Sequence, residues 1–353
     1  MARRSTAKEA NIEADLLHPK NNEKLFAHKE AENRLLAMIN AGRLPHALLI
    51  NGAKGIGKAT LAYRLARFLL APPDNSGSLF GDALPPESLF ISHEHPTFKR
   101  VVSGGHSDLL VLEGDTIKVE DARKVVEFLA LTPAESDRRV VIIDSIDAMN
   151  RNAANALLKT LEEPPAQAVL ILISHNPGRL LPTILSRCRN LKITPLSEID
   201  FAHVMAHIAP EIAAHDYRTW GVMSGFSPGI ALNLIENQAD DLYKELLEIL
   251  LNKDDVKLHA FAERFAKKDG EENWKTLARL LLWLPGRIAC VEYDKNFYEV
   301  CMSEKSKLLA IGKRKSREDW ISLWEKFGKI ISQSDGLYLD KKQAVITMIR
   351  AAE

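Results

Sequence analysis

Ala47-Leu48-Leu49-Ile50-Asn51-Gly52-Ala53-Lys54-Gly55-Ile56-Gly57-Lys58-Ala59 is the stretch that decides the fold. It opens with a short apolar run of strand length and passes through spaced glycines to a lysine. It then enters a segment in which Leu61, Leu65, Ala66 and Leu69 recur at helical spacing. Strand, glycine loop and helix, in that order, are the context a phosphate-binding loop requires. Gly52, Gly55 and Gly57 permit backbone conformations that turn N–H groups toward a phosphate. Lys58 is placed to meet the β- and γ-phosphates, and the helix behind it points its positive end at them. The plainer alternative is a tight strand-to-helix turn with no ligand, because such a loop keeps its shape after losing nucleotide.

The loop departs from the motif at its last position. Ala59 stands where Ser or Thr supplies the hydroxyl that ligates Mg²⁺, and a methyl group coordinates nothing. Thr60 does not substitute in place, because one step along a helix turns a side chain by ~100°. A second gap follows the apolar run Val140-Val141-Ile142-Ile143. Asp144 ends it as a metal-binding strand aspartate does, but Ser145 comes next, where ATPases of this class carry a glutamate to activate water. Asp147 reads as a cap for the following helix. Nucleotide, if bound, is therefore expected to be held weakly or without hydrolysis.

Outward from the loop, apolar strands alternate with helices. The pattern predicts a helix over 26–43, a strand at Leu109–Leu112, and a helix over Val119–Leu131 with Val125, Val126 and Leu129 on one face. Ala153, Ala156, Leu157, Thr160 and Leu161 fall at helical spacing until Pro164-Pro165, and Val169–Ile173 is another continuous apolar strand. Near-continuous apolar strands with intervening helices predict an α/β fold with a parallel sheet covered on both faces. Residues 72–108 show no clear period and read as an insertion or as short unseen elements. After Pro195 only helical patterns remain, including Trp274–Leu284. The division expected is a polar lead-in at 1–24, a phosphate-loop core at 25–195, a small helical lid at 196–238 and an all-helical domain at 239–353.

Composition narrows the function classes. Lys+Arg and Asp+Glu both number 47, so the chain as a whole is no electrostatic sponge for nucleic acid. Cys188, Cys290 and Cys301 assemble no four-ligand zinc pattern, and an odd count argues against a disulfide framework. No zinc is expected. His93, His95 and His106 read as exposed loop histidines, since no carboxylate or cysteine set completes a metal site. Lys54 and Arg64 read as solvated charges flanking the loop. Trp320 and Trp324, with Leu323 between them, read as a helix stripe. No apolar run approaches a membrane span and no leader is evident, so the cytoplasm is the expected location.

Four strings together carry a resemblance: Leu44-Pro45-His46-Ala47, the loop at 52–58, Asn155-Ala156-Leu157-Leu158-Lys159-Thr160-Leu161-Glu162-Glu163-Pro164-Pro165, and Leu185-Ser186-Arg187-Cys188. They resemble the clamp-loader branch of the AAA+ proteins, and within it the delta-prime family of bacterial DNA polymerase III subunits. The resemblance implies an AAA+ core, a helical lid and an all-α collar that joins a hetero-pentameric ring. It implies as partners the ATPase subunits and the clamp-opening subunit, and through the complex a sliding clamp and primed DNA. In that family Ser-Arg-Cys carries an arginine finger acting in trans, so Arg187 would reach ATP held by an adjacent subunit. Such a chain would have no ATPase of its own while belonging to a polymerase holoenzyme. ATPase members also carry a lid arginine, and Gly225-Phe226-Ser227-Pro228-Gly229-Ile230-Ala231-Leu232 places proline and glycine where it would stand. Many members carry a four-cysteine zinc module after the phosphate-loop helix, and 72–108 contains no cysteine. An active AAA+ motor and a small-molecule kinase built on the same loop are the competing readings. Ala59, Ser145 and the missing lid arginine argue against the first, and the Ser-Arg-Cys element and the helical C-terminal part argue against the second.

Overall fold

The computed structural model describes residues 18–72, 85–114, 116–266, 271–337 and 340–353, so most of the lead-in at 1–24 lies outside the described residues. The chain forms two compact units. One reaches Pro210 and takes in Ser227–Gly229; the other comprises Glu211–Phe226 and Ile230–Glu353.

The first unit is built on a five-stranded sheet in the order β2-β3-β4-β1-β5, with every pairing parallel. The strands are β1 (Ala47–Asn51), β2 (Leu109–Glu113), β3 (Arg139–Asp144), β4 (Ala168–Ser174) and β5 (Arg189–Lys192). Every residue of β1 and β4 is buried, as expected of a parallel sheet sandwiched between helices. Side chains alternate between the two faces. Ala47, Leu49, Val141, Ile143, Leu170 and Leu172 join one core cluster with Val125, Leu129, Leu157 and Leu161. The intervening Leu48, Ile50, Val140, Ile142, Ile171 and Ile173 are equally buried and belong to the opposite face.

Helices cover both faces. α1 (Lys29–Asn40) precedes β1, and α2 (Lys58–Leu70) springs from the glycine loop and packs on β1, β3 and β4. α3 (Pro96–Ser103) lies in the stretch that shows no period in the sequence. Its signals are its ends: His95 caps it by accepting from the Thr97 N–H, Pro96 opens it, and Gly104 closes it in a left-handed conformation. Residues 73–84 of that stretch lie outside the described residues. α4 (Val119–Ala130) and α5 (Arg151–Glu162) pack on each other, and α4 rests on β2 and β3. Val126 does not share the buried face of α4. It is 36% exposed, while Ala122, Val125 and Leu129, at i, i+3 and i+7, face the sheet. The short α6 (Pro182–Leu185) leads into β5, and α7 (Glu198–Ile208) follows. β5 writes no apolar run because it is an edge strand with only Leu191 buried.

Among its described residues the second unit is helical: α8 (Tyr217–Ser224), α9 (Pro228–Glu236, beginning in the first unit), α10 (Ala239–Asn252), α11 (Asp255–Glu263), α12 (Glu271–Val291), α13 (Glu304–Gly312), α14 (Arg317–Leu337) and α15 (Lys341–Ala352). α12 is its axis, packing against α10, α13 and α14, and its Trp274, Leu277 and Leu281 are fully buried. Beside them the fully buried Glu304 accepts from Tyr243 Oη at 2.8 Å and from Arg287 Nη2 at 2.7 Å. Trp320 and Trp324 do not form one stripe: Trp320 is buried and Trp324 is 52% exposed. No described helix is long and apolar enough to cross a membrane.

Leu157 faces the core of the first unit with no exposure, so Leu157→Ala should cost about 2–5 kcal/mol. Val126→Ala, on the same helix pair but outward, should stay within about 0.5 kcal/mol. Denaturant midpoints of the first unit would check this, and equal losses at both positions would contradict the assigned faces.

Candidate functional site

The loop leaves β1 at the C-terminal edge of the sheet, where open α/β sheets bind their ligands. Gly52 sits at φ +151°, and a Cβ there would lie 2.2 Å from the Ile193 carbonyl oxygen, so no larger residue fits. Gly57 caps α2 in a left-handed conformation. His28 Nε2 donates to the Ile56 carbonyl at 2.6 Å, bracing the loop from α1's side. The C-terminal edge also gathers Asp144 from β3 and Glu113 from β2, which are paired in register, and His175, which follows β4.

Lys58 is 3% exposed and turns back on its own loop, with Nζ donating to Gly52 O at 2.8 Å and to Ala53 O. Burial drives its pKa down from 10.5 to about 8, against the pull of Asp144 and Asp147. Burial and the neighbouring Glu113 raise the Asp144 carboxyl, and Lys58 opposes them. Ala59 brings only a methyl group to the first turn of α2. Ser145 is turned into its own turn: Oγ donates to Asp147 Oδ2 at 2.9 Å and accepts from the Asp147 N–H at 3.2 Å.

Asp147 does not cap the next helix. That role falls to Asn150, whose side chain accepts from the Ala153 N–H at 2.8 Å. Asp147 instead ties the turn after β3 to the end of β4, accepting from Ser174 Oγ at 2.8 Å and from the His175 and Asn176 N–H groups. Burial acts to raise its pKa, but these donors together with Ser145 hold it below the usual value. His175 is a site residue the sequence reading passed over. Burial first, then Lys58, lowers its pKa to about 4, so its ring is neutral, and its Nδ1 is buried without a hydrogen-bond partner. Its signal was position: it directly follows a buried parallel strand.

Ser227–Gly229 folds onto the phosphate loop within the same unit. Ser227 Oγ donates to Lys54 O at 2.7 Å, and the Gly229 N–H donates to Gly55 O at 2.9 Å. A Cβ on Gly229 would approach Gly55 Cα to 3.0 Å. Backbone meets backbone at this contact.

Arg187 lies elsewhere. It stands two residues before β5, at the N-terminal edge, and the loop stands at the C-terminal edge. Strands of this length separate the two by ~15 Å. The structure thus brings Gly52, Gly55, Gly57, Lys58 and Asp144 together and leaves Arg187 outside the group. Arg187 Nη1 donates to Thr183 O at 2.9 Å and to Ser186 Oγ at 3.1 Å, and Nη2 pairs with Glu162 at 2.7 Å.

With this geometry in place, known proteins place the chain. The family model described as "DNA polymerase III, delta subunit" matches residues 27–197, the span that holds the sheet, the loop and Ser186-Arg187-Cys188. Over residues 27–197 the chain resembles subunits of DNA polymerase III. It is similar to DNA polymerase III subunit delta' of Pseudomonas aeruginosa, 42% identical over 147 residues, covering 40% of this chain and 41% of that protein. Subunit delta' of Bacillus subtilis is 39% identical over 160 residues, covering 45% of each. DNA polymerase III subunit tau of Escherichia coli is 28% identical over 289 residues, covering 74% of this chain and 43% of that protein. The chain thus spans less than half the length of these curated relatives.

Other residues of the first unit differ from their sequence reading. Arg64 is no solvated charge: it is buried, with Nε on Glu32 at 2.7 Å and Nη1 on Glu23 O at 2.9 Å. Lys54 is exposed. His106 is buried rather than an exposed loop histidine, accepting from the Asp108 N–H at 3.2 Å. Asp108 beside it accepts from the Ala134, Glu135 and Ser136 N–H groups. His93 pairs with Glu23 and Glu94, and His95 caps α3. The three histidines thus take separate structural roles, and no group among the described residues is arranged to hold a metal ion.

Lys58 has a pH signature. The unfolded chain holds this proton up to the ordinary value of 10.5 and the fold only to about 8, so between them the unfolded state binds more protons. Stability then rises with pH across that window. Relative to Lys58→Met, the wild type should gain urea resistance from about pH 8 to 10.5. A constant difference would mean an ordinary lysine.

Proposed function

We propose that this chain is a stator-like, non-hydrolysing subunit of a DNA polymerase III clamp loader that supplies Arg187 in trans to ATP bound by a neighbouring ATPase subunit. The observation that carries the reading is the separation of Arg187 from the chain's own loop by the length of the sheet. An arginine at the N-terminal edge serves no phosphate held at the C-terminal edge of the same subunit. On a neighbour's nucleotide, its planar guanidinium would stabilise charge developing on the transferred phosphoryl oxygens.

The loop supports the same reading. Ala59 offers no metal-ligating hydroxyl, Ser145 is engaged by Asp147 rather than poised against water, and proline and glycine stand in the segment where a lid arginine would be expected. ATP or ADP at this loop would be held weakly and would not turn over. In this proposal 196–238 is the lid and 239–353 the collar of a hetero-pentamer containing ATPase subunits and a clamp-opening subunit. The complex would load a sliding clamp on primed DNA in the cytoplasm. The relatives are named as subunits of one polymerase, which is the ground for expecting such partners.

Arg187→Ala should leave folding and assembly intact and lower the DNA- and clamp-stimulated ATPase of the assembled complex about tenfold or more. Unchanged turnover in the complex would remove the finger assignment. Lys58→Ala should change clamp loading little, and the purified chain should not hydrolyse ATP with Mg²⁺ and primed DNA. Turnover by the chain alone, abolished by Lys58→Ala, would make it a motor instead.

A further inference from the structure

Glu162 closes α5 at the same edge of the sheet as Arg187. Its Oε1 lies 2.7 Å from Arg187 Nη2. Thr183 O and Ser186 Oγ take the other terminal nitrogen at 2.9 and 3.1 Å. Acceptors from two elements therefore hold both terminal nitrogens, and the side chain is still one-third exposed. A guanidinium has five N–H donors, so these three bonds leave donors free for an incoming anion.

Both partners stand on fixed ground. Ile184 is buried and Cys188 packs against the core, which anchors the turn carrying Arg187 on either side. The end of α5 is tied to the lead-in of β1 by His46 Nε2, which donates to Leu161 O at 3.0 Å. The Glu162–Arg187 pair joins two anchored backbones rather than two loose ends.

We propose that Glu162 is a positioning residue for Arg187, fixing the rotamer in which the guanidinium faces the phosphate of a neighbouring subunit. The inference rests on the arginine-finger reading above. A free arginine samples many rotamers, and that freedom must be surrendered when it meets phosphate. Setting the rotamer beforehand removes part of this loss from the step in which charge develops. The pair is exposed, so its attraction is modest, and a phosphate bearing several charges recruits the remaining donors without breaking a strong bond.

The test uses the reconstituted complex with its ATPase subunits, stimulated by clamp and primed DNA. Glu162→Ala should lower kcat about fivefold and leave KM for ATP unchanged. Glu162→Gln keeps an acceptor oxygen and should recover at least half of the lost rate. In an Arg187→Ala background, Glu162→Ala should cause no further loss. A purely structural role would instead move assembly or KM and would not depend on Arg187. Unchanged or faster turnover in Glu162→Ala, or an equal loss without Arg187, overturns the inference while the finger stands. If Arg187→Ala itself has no effect, the finger reading fails and the role of Glu162 fails with it.

Discussion

The hydrogen-bond ladder that binds β1 between β4 and β5 holds the phosphate loop in place. Asn51 pairs with Ser174 on one side and Lys192 on the other, and the ladder runs one residue further through the Gly52 N–H to Ser174 O. A backbone gripped on both sides to its last residue cannot adjust to a bulky side chain, which is why the first loop residue lies against Ile193 O. Because all strands run the same way, the same ladder sorts the chemistry of the molecule. The loop and the carboxylates collect at one edge, and Ser-Arg-Cys collects at the other.

At the loop edge the polar groups are satisfied by the protein itself. Lys58 is bonded to loop carbonyls, Asp147 to three neighbouring residues, and Ser145 to Asp147. Buried polar groups need partners, and here backbone and neighbouring side chains supply them. His175 departs from this, with a buried ring nitrogen that has no hydrogen-bond partner.

The central sheet was legible because strands buried on both faces write themselves as unbroken apolar runs, as in Val140–Ile143 and Val169–Ile173. β5 was not, because an edge strand with one buried residue has no such signature, and α3 was hidden because its information lies in its caps. The loop was legible to the residue, since its glycines answer to backbone geometry. The roles of Asp147 and His175 were not. A carboxylate that bridges two strand ends is distinguished from a helix cap only by what lies across the sheet, and β4 lies 27 residues away in the chain. Arg64 and His106 were misread for the same reason: burial of a polar side chain depends on partners distant in sequence.

The contact between Gly229 and Gly55 also fixes what position 229 can hold. A Cβ there would stand 3.0 Å from Gly55 Cα and 3.2 Å from Gly55 O, closer than ordinary van der Waals contact, and both atoms are backbone that no change of rotamer moves aside. Glycine at 229 is therefore what lets the segment 227–229 lie on the loop through the Ser227–Lys54 and Gly229–Gly55 hydrogen bonds. A larger residue there would have to prise the two segments apart.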